Sequence, residues 1–133
     1  MDTNALVEGG IDGLRQIVAA LEKEGLDIQG AYLIKTTSVE DFTRISFRIV
    51  TDSDPRSVIY KFVQLRRDGR IPHVADEISI SPLRPSHVEA SRVLDYATQM
   101  GSVPVVINGV YWNGLFIEDA VVVKRPSAAH AAA

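Results

Sequence analysis

The chain contains no cysteine. That single absence excludes thiol nucleophiles, disulfide staples, zinc–thiolate centres and iron–sulfur ligation. Histidine is scarce: His73 has only His87 and His130 as imidazole partners. No apolar run is long enough to span a bilayer, and residues 1–10 lack the basic start and apolar core of a secretory signal. A cytoplasmic protein without membrane contact is the expectation. Charge of one sign is also missing: the net charge is -3. A duplex-binding domain usually carries a strong basic field, so nucleic acid is disfavoured as the main partner. The short signatures G-x-G-x-x-G, Walker A, H-E-x-x-H and G-x-S-x-G do not occur. Gly9-Gly10-x-x-Gly13 precedes a helical pattern but follows no strand, so it lacks the setting of a nucleotide loop. No cofactor and no metal site is implied.

What is present suits one folded domain. The chain has 133 residues, of which 46% are apolar and 23% charged, and that balance argues against wholesale disorder. A chain of this length buries roughly two thirds of its unfolded surface and needs no covalent staple. One domain is expected over 1–125. Residues 126–133, small and low in complexity, are expected to form a disordered tail.

Val7, Ile11, Leu14, Val18 and Leu21 recur in steps of three and four, the mark of one helix face. Glycines 9, 10 and 13 weaken its start, so the firm helix should run from about residue 11 to 24, closed by Gly25. Residues 28–35 read as a strand, 38–41 as a turn, and 42–51 as a second strand in an antiparallel hairpin. In that second strand Thr43, Ile45, Phe47 and Ile49 share one face, and Arg44, Ser46 and Arg48 share the other, which should be partly wet. Over 55–67 the spacing of Val58, Ile59, Phe62 and Val63, with Asp54 as cap and Pro55 in the first turn, predicts a helix. The β-branched and aromatic content would suit a strand instead, with Asp68-Gly69 as a hairpin turn. Residues 77–81 alternate as a short strand that Pro82 and Pro85 end. Ser86-His87-Val88-Glu89 has the form of a capping box opening a helix to Met100. After residue 103 the pattern is strand again, with Asn108-Gly109 and Asn113-Gly114 as two hairpin signals too close for long strands between them. Either 110–112 is a very short strand, or only one pair is a tight turn. A last strand over 115–124 is interrupted by Glu118-Asp119. The order α-β-β-α-β-α-β-β predicts an α+β fold: a two-layer sandwich with helices on one side of a mixed or antiparallel sheet.

Gly101-Ser102-Val103-Pro104, continuing to Ile107-Asn108-Gly109 and Gly114, resembles the cis-proline segment of glutaredoxins. The preceding strand-helix-strand-helix order is compatible with the thioredoxin-like core of that family. The likeness covers about a tenth of the chain. The family's active-site cysteines have no counterpart here and no final helix is evident after Gly114, so the family's redox activity does not carry over.

Four groups of side chains are candidates for function. Tyr111, Trp112 and Phe116 bracket a turn, where aromatic rings form a pocket wall or an interface anchor, or else pin a hairpin to the core. Tyr111 and Trp112 are neighbours on a strand and should point to opposite faces, so one ring should face away from the helices. Arg44 and Arg48, with the run Lys61, Arg66, Arg67 and Arg70, suit an acidic partner or a solvated surface. His73, Asp76 and Glu77 offer imidazole and carboxylates, the chemistry of metal and acid–base sites, for a small enzyme or a small-molecule or anion binder, or else are plain loop polarity. Arg84, Ser86 and His87 stand at a helix start, which attracts anions. Two readings follow: a non-catalytic binding or protein-interaction domain, or a small enzyme built on His73, Asp76 and Glu77 with nearby arginines. A symmetric homodimer is expected, because a final strand carrying Val121, Val122 and Val123 needs cover.

Overall fold

A computed structural model of the chain describes residues 10–37, 43–76 and 78–126. The start of the first helix, the 38–41 turn, Glu77 and the tail from residue 127 lie outside the described residues. Among the described residues no helix is long and apolar enough to cross a membrane.

Helix α1 (Ile11–Lys23) buries Leu14, Ile17, Val18 and Leu21 on one stripe. Gly25, at φ +90°, makes the left-handed turn that releases the chain into β1. Strands β1 (Ile28–Thr37) and β2 (Thr43–Thr51) form the expected antiparallel pair. Residues 55–67 are helical, as α2 (Pro55–Arg67): the Asp54 side chain accepts from the Arg56 amide at 3.2 Å, and Val58, Phe62 and Leu65 are buried. Burial of that stripe, about 2 kcal/mol for each large side chain, overrides the strand propensity of the same residues. A 3-10 turn (His73–Asp76) leads to β3 (Ser79–Leu83), helix α3 (Val88–Met100), and the short strands β4 (Val105–Ile107), β5 (Val110–Trp112), β6 (Leu115–Ile117) and β7 (Ala120–Lys124).

Five strands make one mixed sheet in the order β3-β2-β1-β7-β4, and β5-β6 is a separate two-stranded ribbon. Among the described strands only β2 and β3 run parallel, joined through α2. The α+β class and mixed sheet agree with the sequence. The layering needs a correction, because the helices divide between the two sheet faces. Ala31, Leu33, Phe47, Ile49, Val121 and Val123 pack with α1 and α2. Tyr32, Ile34, Val50 and Val122 pack with α3 and the ribbon. The sheet is thus covered on both sides, which is why Ala31–Ile34 and Ala120–Val123 are continuously apolar rather than alternating. Helix and strand approach closely at Gly30, where a β-carbon would stand 2.6 Å from Cδ1 of Leu94.

Three further expectations change. Pro82 does not end β3 but lies within it, opposite Ile49; an edge strand tolerates the missing amide. The segment 115–124 is two strands, and Glu118-Asp119 marks the point where the chain leaves the ribbon and enters the sheet. Strand β7 lies between β1 and β4, so its valines are covered inside the protomer and give no motive for dimerisation. The outer strands β3 and β4 are short, one carrying a proline, which blunts edge pairing.

Candidate functional site

Asn113 and Gly114 both take positive φ, 47° and 86°, the mirror-image turn that matches strand twist in a two-residue hairpin. Of the two Asn-Gly signals this one is the tight turn. Asn108-Gly109 instead carries the chain from β4, which pairs with β7, to β5, which pairs with β6. The preceding Val103–Pro104 peptide is cis. Among the described residues no helix follows Gly114.

The ribbon pairs Val110 with Ile117, Tyr111 with Phe116 and Trp112 with Leu115. Cross-strand partners share a face, so its two faces have different compositions. Val110, Trp112, Leu115 and Ile117 belong to the core beneath α3. Trp112 is fixed there: its Nε1 donates to Oδ2 of Asp95 at 2.8 Å, and its ring meets that of Tyr96 edge to face at 5.2 Å. Asn113 Nδ2 donates to the same Asp95 oxygen, and Arg92 Nε donates to the Asn113 carbonyl. The ribbon is therefore bound to α3 at its turn by three polar contacts as well as by packing.

Tyr111 and Phe116 occupy the outer face. Tyr111 is 80% exposed and Phe116 48%, and their ring centroids lie 4.8 Å apart at a tilt of 45°. Adjacent strand residues thus point to opposite sides, with Trp112 inward and Tyr111 outward. Gly109, at φ +66°, lies beside the Phe116 ring, where a β-carbon would stand 3.5 Å from Cζ, an ordinary contact. Beside Phe116 is a cavity of about 170 Å³ whose walls also include Lys35, Thr37, Glu118 and Asp119. Glu118 is held there by the Thr37 amide, which donates to its Oε2 at 3.1 Å. The Lys35 amide donates to the Asp119 carbonyl at 2.9 Å, which fixes the corner between ribbon and sheet.

On the polar face of β2, Ser46 is buried and Arg48 is partly exposed, as expected of a partly wet face. Arg48 stands between Tyr32 on β1 and Ser81 on β3, and α3 covers this row. Tyr32 Oη donates to Oε1 of Glu89 at 2.6 Å, and Arg48 Nε donates to the same oxygen at 2.9 Å. Burial, reinforced by the hydrogen bond and the charge of Glu89, pushes the Tyr32 phenol far above the ordinary tyrosine range; Arg48 opposes this weakly. Glu89 therefore does not reach back to cap its helix. His87 occupies the N-cap position with no side-chain capping bond, so the expected capping box is absent. Sequence reasoning missed Tyr32 and Glu89 because it gave Glu89 a local partner. The signal that pointed the right way was Arg48, a charge on a strand flanked by apolar neighbours. Arg44 stands opposite Thr36 in the same strand pair.

The other polar candidates remain apart. His73 Nδ1 lies 3.5 Å from Asp76 Oδ2 on the 3-10 turn, and both side chains are exposed. Among the described residues no group of three or more acidic or imidazole side chains is placed to hold a metal ion. Arg84, Ser86 and His87 are exposed at the start of α3. A larger cavity of about 550 Å³ runs along α3 and includes Gln29, Ser91, Asp95 and Thr98. Several of its polar groups already have structural partners: Gln29 donates to Asp52, Asp95 accepts from Trp112, and Thr98 donates to the Leu94 carbonyl. No family model, no curated protein and no solved structure matches this chain.

Proposed function

We propose that this protein is a non-catalytic interaction domain whose contact surface is the outer face of the β5–β6 ribbon. The carrying observation is the contrast between its two faces: Trp112 is fixed inward, and Tyr111 and Phe116 are stacked outward. A large exposed ring is an unfavourable use of apolar surface unless something covers it. Here the rings sit on a short, tightly held ribbon, so little conformational freedom is left to lose on binding. Aromatic side chains mounted in this way are the usual anchors of protein contacts.

A photo-crosslinking experiment tests the reading. p-Benzoylphenylalanine in place of Tyr111 is expected to give an adduct of defined mass in the cells that make the protein. The same probe in place of Tyr60, which is 66% exposed on α2, is expected to give none. Phe116→Ala should lower the yield at position 111. Equal adducts from both positions, or none from position 111, would defeat the proposal.

A further inference from the structure

The chemistry around Phe116 narrows the kind of partner. The outer face of the ribbon offers two aromatic rings at 4.8 Å, and ring faces attract cations through their quadrupole. The cavity against Phe116 is lined by two carboxylate-bearing residues, Glu118 and Asp119, and one ammonium-bearing residue, Lys35. Among these described lining residues Lys35 offsets one of the carboxylates, which leaves one unit of negative charge. Glu118 is already oriented by the Thr37 amide, which donates to its Oε2. The whole chain adds a net charge of -3, a field that favours the approach of a basic partner over an acidic one.

We propose that this corner receives an arginine side chain presented by a partner protein, its guanidinium lying against the Phe116 and Tyr111 rings and forking toward Glu118 and Asp119. Arginine suits the site better than lysine, because its planar head stacks on rings and donates to carboxylates at the same time. The inference rests on the interaction-domain reading above and specifies what that surface recognises.

The test is a titration of the full chain, followed by amide 1H–15N correlation spectra, with the peptide acetyl-Ala-Arg-Ala-amide. A second peptide carries citrulline, which matches arginine in shape but has no charge. The arginine peptide is expected to shift the amides of Gly109, Phe116, Glu118 and Asp119 saturably, with a dissociation constant on the order of 1 mM. The citrulline peptide, and the arginine peptide on Asp119→Asn, should bind at least about fivefold more weakly. Asp119 holds Lys35 through its backbone carbonyl, so Asp119→Asn leaves that bond in place. Equal shifts from both peptides, or undiminished binding by Asp119→Asn, would overturn the assignment. Shifts at these amides that follow protein concentration and ignore the peptide would make the occupant a second copy of this chain, and would overturn it as well. A silent arginine peptide with a specific crosslink at position 111 would defeat the cation assignment alone. A silent peptide with no such crosslink would defeat the interaction reading too.

Discussion

Tyr32 is wholly buried, and its hydroxyl is one of two donors to the same Glu89 oxygen. Tyr32→Phe removes that donor without changing the ring, and the loss should be about 1 kcal/mol in urea unfolding. The phenol also makes folding depend on alkaline pH. In the folded state it holds its proton well above the ordinary tyrosine range, whereas in the unfolded chain it ionises near pH ~10. A group whose folded pKa is raised contributes stability in full below the unfolded value, and that contribution is lost as pH rises beyond it. The unfolding free energy should therefore fall with pH above about 10, and Tyr32→Phe should show a shallower fall. Equal slopes for the two proteins would mean that Tyr32 ionises as readily folded as unfolded. The outward pair Tyr111 and Phe116 has no such role in the core, and that difference in surroundings separates the rings that hold the fold from the rings offered to solvent.

At the scale of elements, the start of α3 separates a local account of the sequence from a tertiary one. Ser86 and Glu89 have the spacing of a capping box, and a box would make Ser86→Ala cost about 1 kcal/mol. The helix instead begins at Val88, after His87, with no side-chain cap, and Glu89 is committed to Tyr32 and Arg48. Ser86→Ala should therefore stay within about 0.5 kcal/mol of the parent. Glu89→Gln should cost roughly 2 kcal/mol or more, because it leaves the largely buried Arg48 guanidinium without its counter-charge. Guanidinium denaturation of the two variants decides between the accounts, and the reverse order of cost would restore the box. The same competition between local and distant partners explains the other differences. Periodicity was enough for α1 and for the β1–β2 hairpin, and Asp54-Pro55 was enough to start α2. It was not enough for 115–124, where an apolar run is divided between a ribbon and a sheet by two acidic residues. Sequence spacing does not state which distant strand each half will join.

For the molecule as a whole, the α+β class and mixed sheet were legible, and the number of layers was not. Strands buried on both faces lose the alternation that tells one face from the other, and Ala31–Ile34 and Ala120–Val123 are such strands. The candidate surface was legible in part. Adjacent rings on a strand must diverge, so one of Tyr111 and Trp112 had to point outward. Which one did so depended on Asp95, a helix residue 17 positions from Trp112 that supplies the indole with an acceptor. The cavity beside Phe116 depended on folding Thr37 against Glu118, 81 residues apart. The proposed interaction surface divides labour between two neighbouring residues, Trp112 for folding and Tyr111 for binding. Urea unfolding of Tyr111→Ala and Trp112→Ala measures it most directly. Tyr111→Ala should change stability by no more than about 0.5 kcal/mol, while Trp112→Ala should lose about 3 kcal/mol through lost packing and the lost indole bond to Asp95. Equal costs for the two, or unfolding by Tyr111→Ala alone, would contradict it.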